Sequence, residues 1–275
     1  MTSTRTLKSS KRRWIRRGGQ LLGALCLVSS IGCNALSDSK LLSFGVEYWD
    51  AEPGGALASS EFGVVGDQID VDSTLSIDDE KVWVYHASAT LGPTLIQATW
   101  LDLSSSGLST LSNSVIFSGQ NFAAGNTVAS ELDTTVLQLH TETGLYNWNI
   151  VRFGFLAGID QLQIDATLND QDALITADQS YDGWIPVIGV TAGVNFPLWI
   201  IEVFAEGKVS GIIEELALDT LDGDYLSSTI KGGVNLDDGF KLGIGYRSLE
   251  AEFEEGGADF DFDLGGGFLF VEVEF

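Results

Sequence analysis

Cysteine, histidine and basic residues are scarce in this chain of 275 residues. Both cysteines, Cys26 and Cys33, lie near the N-terminus, so no disulfide framework and no thiolate metal site is predicted for the rest. The two histidines, His86 and His140, limit general acid–base and metal chemistry. No stretch after residue 35 approaches the roughly 18 consecutive apolar residues of a transmembrane helix. Any membrane crossing would therefore have to use strands.

Residues 1–35 have the pattern of a signal peptide, because a basic stretch precedes a short apolar run from Leu21 to Gly32. That run is shorter than the ~20 residues that a spanning helix needs. Ser30–Cys33 resembles a bacterial lipoprotein cleavage box, with Cys33 as the lipidated residue. Ordinary cleavage after Ala35 is the alternative. In either case we predict an exported chain, and we assign the remaining residues, 36–275, to one domain.

Acidic residues dominate the chain after residue 35. Residues 1–35 hold seven of the 14 Lys and Arg residues and none of the 39 Asp and Glu residues. A chain without a basic footprint is not expected to bind nucleic acid through its phosphates. The acidic clusters at 67–72, 78–80 and 219–224 could attract divalent cations, although none has the spacing of a calcium loop. Solvated loop charge is the simpler interpretation.

Apolar and polar residues alternate with a period of two through most of the chain, which favours strands over helices. In the segment 184–196, for example, Trp184, Ile188 and Val190 share one face, and Thr191 and Asn195 lie on the other. Segments of this kind predict about ten strands, near 41–51, 81–91, 94–104, 131–143, 147–160, 183–196, 198–210, 223–235, 239–252 and 260–275.

The connections between these segments alternate between short and long. Tight turns are predicted at Gly92–Pro93, Gly144–Leu145, Phe196–Pro197 and 237–239, and long polar connections at 52–80, 105–130, 161–182, 211–222 and 253–259. An even number of strands joined in this way is typical of a transmembrane antiparallel up-and-down β-barrel with short periplasmic turns. Ten strands are predicted, with eight as the alternative.

The aromatic residues separate this barrel from a soluble β-sandwich, which also consists of alternating strands. Aromatic residues fall at both ends of the apolar face, as membrane interfaces favour. They are Phe196, Trp199, Phe240 and Phe275 at the periplasmic ends and Tyr48, Trp83, Trp184 and Tyr246 at the outer ends.

The last strand alternates through Leu269, Val271 and Val273 to a terminal aromatic residue, Phe275. This pattern resembles the C-terminal signature by which bacterial outer-membrane β-barrels are recognised by their assembly machinery. The resemblance implies a small barrel in the Gram-negative outer membrane, with that machinery and the membrane lipids as partners. It implies no particular activity.

Five of the seven basic residues after residue 35 have the inward parity, where a barrel interior can hold charge, namely Arg152, Lys208, Lys231, Lys241 and Arg247. We predict a lumen charge network in which Glu202 pairs with Lys231, and Lys241 pairs with Glu272 and Glu274. These pairs are expected to close the periplasmic half of a narrow interior.

The two histidines give weak motifs. His86 and Ser88 have the spacing found in outer-membrane lipid A deacylases, but their parity is inward, away from lipid. His140 and Glu142 could contribute two metal ligands, which are too few for a site. We therefore predict no catalytic residue, cofactor or metal, and a non-enzymatic barrel that is structural or a narrow, occluded porin-like channel. The alternatives are a lipid-modifying enzyme and a surface-binding barrel that uses its acidic loops.

Overall fold

The structure is a computed structural model that describes residues 41–59, 66–92, 94–148, 150–198, 201–212, 223–236, 239–255 and 258–275. The predicted signal peptide and Cys33 lie outside these residues. Within them the strands are β1 (Leu42–Ser59), β2 (Ile69–Asp70), β3 (Glu80–Leu91), β4 (Thr94–Thr110), β5 (Val115–Phe117), β6 (Gln120–Phe122), β7 (Thr127–Trp148), β8 (Val151–Asp170), β9 (Thr176–Leu198), β10 (Ile201–Ile212), β11 (Gly223–Leu236), β12 (Phe240–Glu255) and β13 (Ala258–Glu274).

Ten of these strands form one closed antiparallel barrel. Each strand of the series β1, β3, β4 and β7 to β13 pairs with the next, and β13 pairs back with β1. Each of the ten predicted strands has its counterpart here, so the prediction of an all-β barrel with ten strands is confirmed, and the alternative of eight is not. No helix in the described part of the chain is long and apolar enough to cross a membrane.

Two predicted turns are wrong by several residues. Gly144 and Leu145 lie inside β7, where the pairing with β8 shifts register between Gly144 and Tyr146. A bulge can absorb such a glycine without ending the strand. Phe196 and Pro197 likewise remain in β9 and pair with Val203 and Glu202 of β10. Proline is tolerated there because only the end of the ladder is affected.

Nine of the ten barrel strands reverse the polarity of their outward face partway along their length, and the described part of β10 has only apolar and glycine residues on that face. In β8 the outward residues from Val151 to Ile159 are apolar, whereas the outward residues from Gln161 to Asn169 are polar. The inward face changes in the opposite sense, and Leu162, Ile164, Ala166 and Leu168 are all buried. The last apolar and first polar outward residues are Tyr48 and Asp50 in β1, Trp83 and Lys81 in β3, Trp100 and Asp102 in β4, Leu137 and Thr135 in β7, Trp184 and Asp182 in β9, Leu226 and Asp224 in β11, and Tyr246 and Ser248 in β12.

This reversal divides the barrel into two sections. The lower section lies on the side of the short turns, and its outward residues are mostly apolar and uncharged. The upper section lies on the side of the long connections, and its outward residues are mostly polar. Much of the upper section corresponds to the predicted long loops at 105–130 and 161–182, and that prediction is wrong, because β4, β7, β8 and β9 extend far into these ranges.

The lumen of the upper section is filled by an apolar core. Buried side chains from many strands meet there, including Leu57, Leu103, Leu132, Val136, Ile164, Tyr181, Leu249, Phe253, Phe260 and Phe262. The rings of Tyr181 and Phe253 stack with their centroids 4.7 Å apart. The segment that contains β2 adds Val71, Leu75 and Ile77 to the same core.

The short hairpin of β5 and β6 lies across this core. Phe117 and Phe122 are fully buried in it. On one side the hairpin is held by Asp67, whose backbone and carboxylate both bond to the backbone of Ile116. On the other side Ser118 Oγ donates to the carbonyl oxygen of Asp178 in β9. Because β5 also packs beside β1, which is separated from β9 by four strands in either direction around the barrel, the hairpin spans the upper end.

Candidate functional site

The lumen of the lower section contains a cavity of about 200 Å³ that is rich in charged side chains. Five basic and four acidic residues line it, namely Arg152, Lys208, Lys231, Lys241, Arg247, Glu47, Glu206, Glu272 and Glu274. They come from β1, β8, β10, β11, β12 and β13, and each lies on the inward face of its strand. Charges of both signs are therefore gathered in one small volume, where they can pair.

The pairs nearest the short turns involve two lysines of adjacent strands. Lys241 Nζ lies 2.5 Å from Glu274 Oε1 and 4.0 Å from Glu272 Oε1. Lys231 Nζ lies 3.6 Å from Glu272 Oε2. Arg152 forms a further ion pair with Glu206. These contacts link strands of the wall through their side chains.

A second cluster lies higher in the lumen, around the buried carboxylate of Glu47. Arg247 Nη2 is 2.9 Å from one carboxylate oxygen, and His86 Nε2 is 2.8 Å from the other. The guanidinium carbon of Arg247 is 5.7 Å from the ring centroid of Trp49 and 5.9 Å from that of Phe268. Because the arginine meets two aromatic rings, this cluster joins the charged cavity to the apolar core above it.

Asp160 is the centre of a third polar cluster and is fully buried. His140 Nε2 lies 2.7 Å from its Oδ1, while the Tyr225 hydroxyl donates to its Oδ2 over 2.6 Å. The amide of Gln138 donates to the same oxygen over 2.9 Å. A buried carboxylate with three such partners is well satisfied, which is the condition for keeping a charge inside a protein.

The register separates one predicted pair. Glu202 of β10 stands opposite Asn235, and Lys231 stands opposite Glu206. The prediction placed Glu202 and Lys231 at one depth, but Glu202 is the second residue of its strand and Lys231 lies five residues before the end of β11. Lys241, Glu272 and Glu274 do lie together in the lumen, as predicted.

Neither histidine motif forms the arrangement that its spacing suggested. His86 Nδ1 is 3.1 Å from Thr99 Oγ1, and Ser88 bonds to Ser43. His140 bonds to Asp160, whereas Glu142 accepts a hydrogen bond from Thr191. Among the described residues, no group of three or more His, Cys, Asp or Glu side chains could hold a metal ion.

The residues of the C-terminal signature lie at the seam that closes the barrel. Leu269 and Val271 face outward, and the Phe275 carbonyl accepts a hydrogen bond from the Leu41 backbone over 2.6 Å. The Phe275 ring lies 6.3 Å from that of Phe44 in β1. Recognition by an assembly machinery stays a prediction.

Sequence reasoning missed the apolar core and its capping hairpin. The sequence does contain a pattern that indicates this core. In the second half of β8 the inward residues Leu162, Ile164, Ala166 and Leu168 are all apolar, so the alternation of the strand continues without a break. It was missed because the outward residues there are polar, as they are in a loop.

No protein-family model and no curated protein sequence matches this chain. Several solved structures resemble it. The outer membrane protease OmpT from Escherichia coli has a TM-score of 0.54 at 12% identity, over 89% of this chain and 100% of that chain. The translocator domain of the autotransporter NalP from Neisseria meningitidis has a TM-score of 0.39 at 10% identity, over 97% and 98%. The outer membrane protein AlkL has a TM-score of 0.41 at 10% identity, over 89% and 94%.

At these identities the likeness concerns the fold alone. The closed ten-stranded antiparallel barrel is the fold of the bacterial outer-membrane β-barrels.

Proposed function

We propose that the protein is a non-enzymatic outer-membrane barrel with an occluded lumen, a structural element and not an open porin. The observation that carries this proposal is the apolar core of the upper section, in which buried side chains from β1, β4, β7, β8, β9, β12 and β13 form one cluster inside the lumen. Close-packed apolar side chains leave no path for water or ions. The hairpin with Phe117 and Phe122 adds a second barrier above that core.

The charged cavity below the core gives weaker support to the proposal of an occluded lumen. Its ion pairs narrow the lumen of the lower section, yet they leave a volume of about 200 Å³. The sequence-based expectation that the ion pairs alone close the barrel is therefore revised, and the main barrier is the upper core. The cavity becomes a blind chamber in this account.

The geometry gives little support to a lipid-modifying enzyme. His86 and Ser88 point into the lumen, where each is bonded to other inward residues. A group that acts on membrane lipid must reach the outer surface of the lower section. OmpT, whose fold resembles this one, is a protease, but a shared fold does not carry an activity with it.

Planar-bilayer recording tests the proposal. The wild-type protein is expected to give no stable conductance, and so is the Lys231→Ala, Lys241→Ala double variant, because the upper core is intact in both. An open porin recorded under the same conditions is the positive control. Large, stable conductance from the wild-type protein would refute occlusion, and conductance that appears only in the double variant would assign the barrier to the ion pairs instead.

A further inference from the structure

We propose that the surface of the outer leaflet meets the barrel at the polarity reversal, so that the lower section contacts lipid hydrocarbon and the upper section stands in water outside the membrane. The boundary passes between Ile159 and Gln161 in β8 and between Leu137 and Thr135 in β7. The partner of the lower section is thus the acyl-chain layer. This inference concerns the seating of the barrel and does not depend on whether the lumen conducts.

The outward charges lie on one side of this boundary only. In the described residues of the lower section, no outward side chain is charged. The upper section carries outward carboxylates on most of its strands, among them Asp102, Asp133, Asp165, Asp182 and Asp263. Carboxylates in hydrocarbon would lose their hydration without gaining a partner, which is strongly unfavourable.

The width of the apolar band suits a bilayer. It spans nine residues in β8, from Val151 to Ile159, and eleven in β11, from Leu226 to Leu236. A tilted strand needs about 9–11 residues to cross the hydrocarbon layer. If the upper section were also immersed, β8 would present nearly twice that length.

Aromatic side chains mark the same boundary. Trp83, Trp184 and Tyr246 are each the last apolar outward residue of their strand, and each is about half exposed. The rings of Tyr48 and Trp83 lie 4.9 Å apart on neighbouring strands, at one height on the wall. Tryptophan and tyrosine favour the membrane–water interface because one end of the ring is apolar and the other is polar.

The interior of the upper section supports the same assignment. A barrel wall in water needs an apolar core inside it, because burial of apolar side chains is what stabilises such a structure. Leu132, Ile164 and Phe262 supply this core, and each is almost fully buried. The outward and inward faces thus both indicate water around the upper section.

Site-directed spin labelling in lipid vesicles tests the boundary. Single cysteines replace Ile159 and Asp165 of β8, and Leu139 and Asp133 of β7, all of which face outward. Labels at Ile159→Cys and Leu139→Cys should collide preferentially with dissolved oxygen, which concentrates in hydrocarbon. Labels at Asp165→Cys and Asp133→Cys should show the reverse order and collide preferentially with a water-soluble nickel chelate. The parent chain with its own two cysteines gives the background signal.

The two strands provide independent readings of one boundary. A reversal of preference within both strands supports the proposal. Oxygen preference at Asp165→Cys and Asp133→Cys would overturn it, because the upper section would then lie in the bilayer. Nickel preference at Ile159→Cys and Leu139→Cys would overturn it equally, because the lower section would lie outside.

Discussion

The lower and upper sections of the barrel are built from the same strands and the same alternation, yet their faces are exchanged. In β8 the apolar residues face outward up to Ile159 and inward from Leu162 onward. Alternation with a period of two therefore defines two faces without stating which one is inside. The surrounding solvent decides, because apolar residues face outward in lipid and inward in water.

The two sections differ in what holds them together. The lower section relies on ion pairs and hydrogen bonds inside the lumen, such as Glu47 with Arg247 and His86. The upper section relies on an apolar core such as that around Leu132. Substitutions of the same kind should therefore have different consequences in the two sections, and these differences provide sharp tests.

The largest effect is expected from Glu47→Ala in the lower section. It leaves the buried Arg247 and the half-buried His86 without their shared carboxylate, which should lower the free energy of unfolding by about 3–5 kcal/mol. Urea unfolding in vesicles measures this value. Glu202→Ala is the control, because Glu202 is only half-buried and should change the value by about 0.5 kcal/mol or less. Equal changes in unfolding free energy for the two variants would mean that the contacts of Glu47 with Arg247 and His86 do not stabilise the fold.

The next effect is expected from Leu132→Ala in the upper core. Leu132 is almost fully buried, so its truncation should leave a cavity and cost about 2–5 kcal/mol. Leu139→Ala on the same strand removes an outward leucine that lipid can replace, and should cost about 1 kcal/mol or less. The same unfolding measurement compares them. A larger loss of unfolding free energy for Leu139→Ala than for Leu132→Ala would mean that the inward and outward faces of β7 are assigned the wrong way round.

A somewhat smaller effect is expected from Val190→Arg, which places a charge on the outward face of the lower section. Val190 is 61% exposed, and arginine there should cost about 2–4 kcal/mol if the site is near mid-membrane. Asp182→Arg is the control on the outward face of the upper section of β9, with an expected change of about 0.5 kcal/mol. Heat-modifiable gel migration reports the folded fraction. Similar losses of folded protein in both variants would contradict the division into a lipid-facing lower section and a water-facing upper section.

The smallest effect is expected from Asp263→Asn in the upper section. Partial burial raises the pKa of Asp263, and the nearby carboxylates of Asp261, Glu250 and Asp70 raise it further. The charged form therefore destabilises the fold above the raised pKa, and this penalty disappears as the pH falls through it. At neutral pH the variant should be more stable by about 0.5 kcal/mol or less, and below about pH 4 the gain should vanish. A gain that does not change with pH would exclude this electrostatic cause.

Much of the fold follows from the sequence, because alternation and turn residues depend on neighbours along the chain. All ten barrel strands were predicted, and the inward parity of Lys241, Glu272 and Glu274 brought these residues together in the lumen. The pairing of Glu202 failed because register depends on where each strand ends. The turn at Phe196–Pro197 failed because proline near a strand end does not always stop the strand.

The upper core could not be predicted from one strand at a time. Gln161, Asp165 and Asn169 are ordinary loop residues until their inward neighbours are known to share one buried cluster with residues of other strands such as Leu132 and Phe262. The hairpin of β5 and β6 depends in the same way on contacts with Asp67 and Asp178, distant in sequence.

The height of the protein above the bilayer tests the central claim most directly. Atomic force microscopy of the protein in a supported bilayer measures this height on each face. Strands that continue for about nine residues beyond the boundary, at about 3.3 Å per residue and a tilt of about 40°, should give a protrusion of roughly 23 Å on one face and little on the other. A protein that is nearly level with the bilayer on both faces would contradict the division into a lipid-facing and a water-facing section.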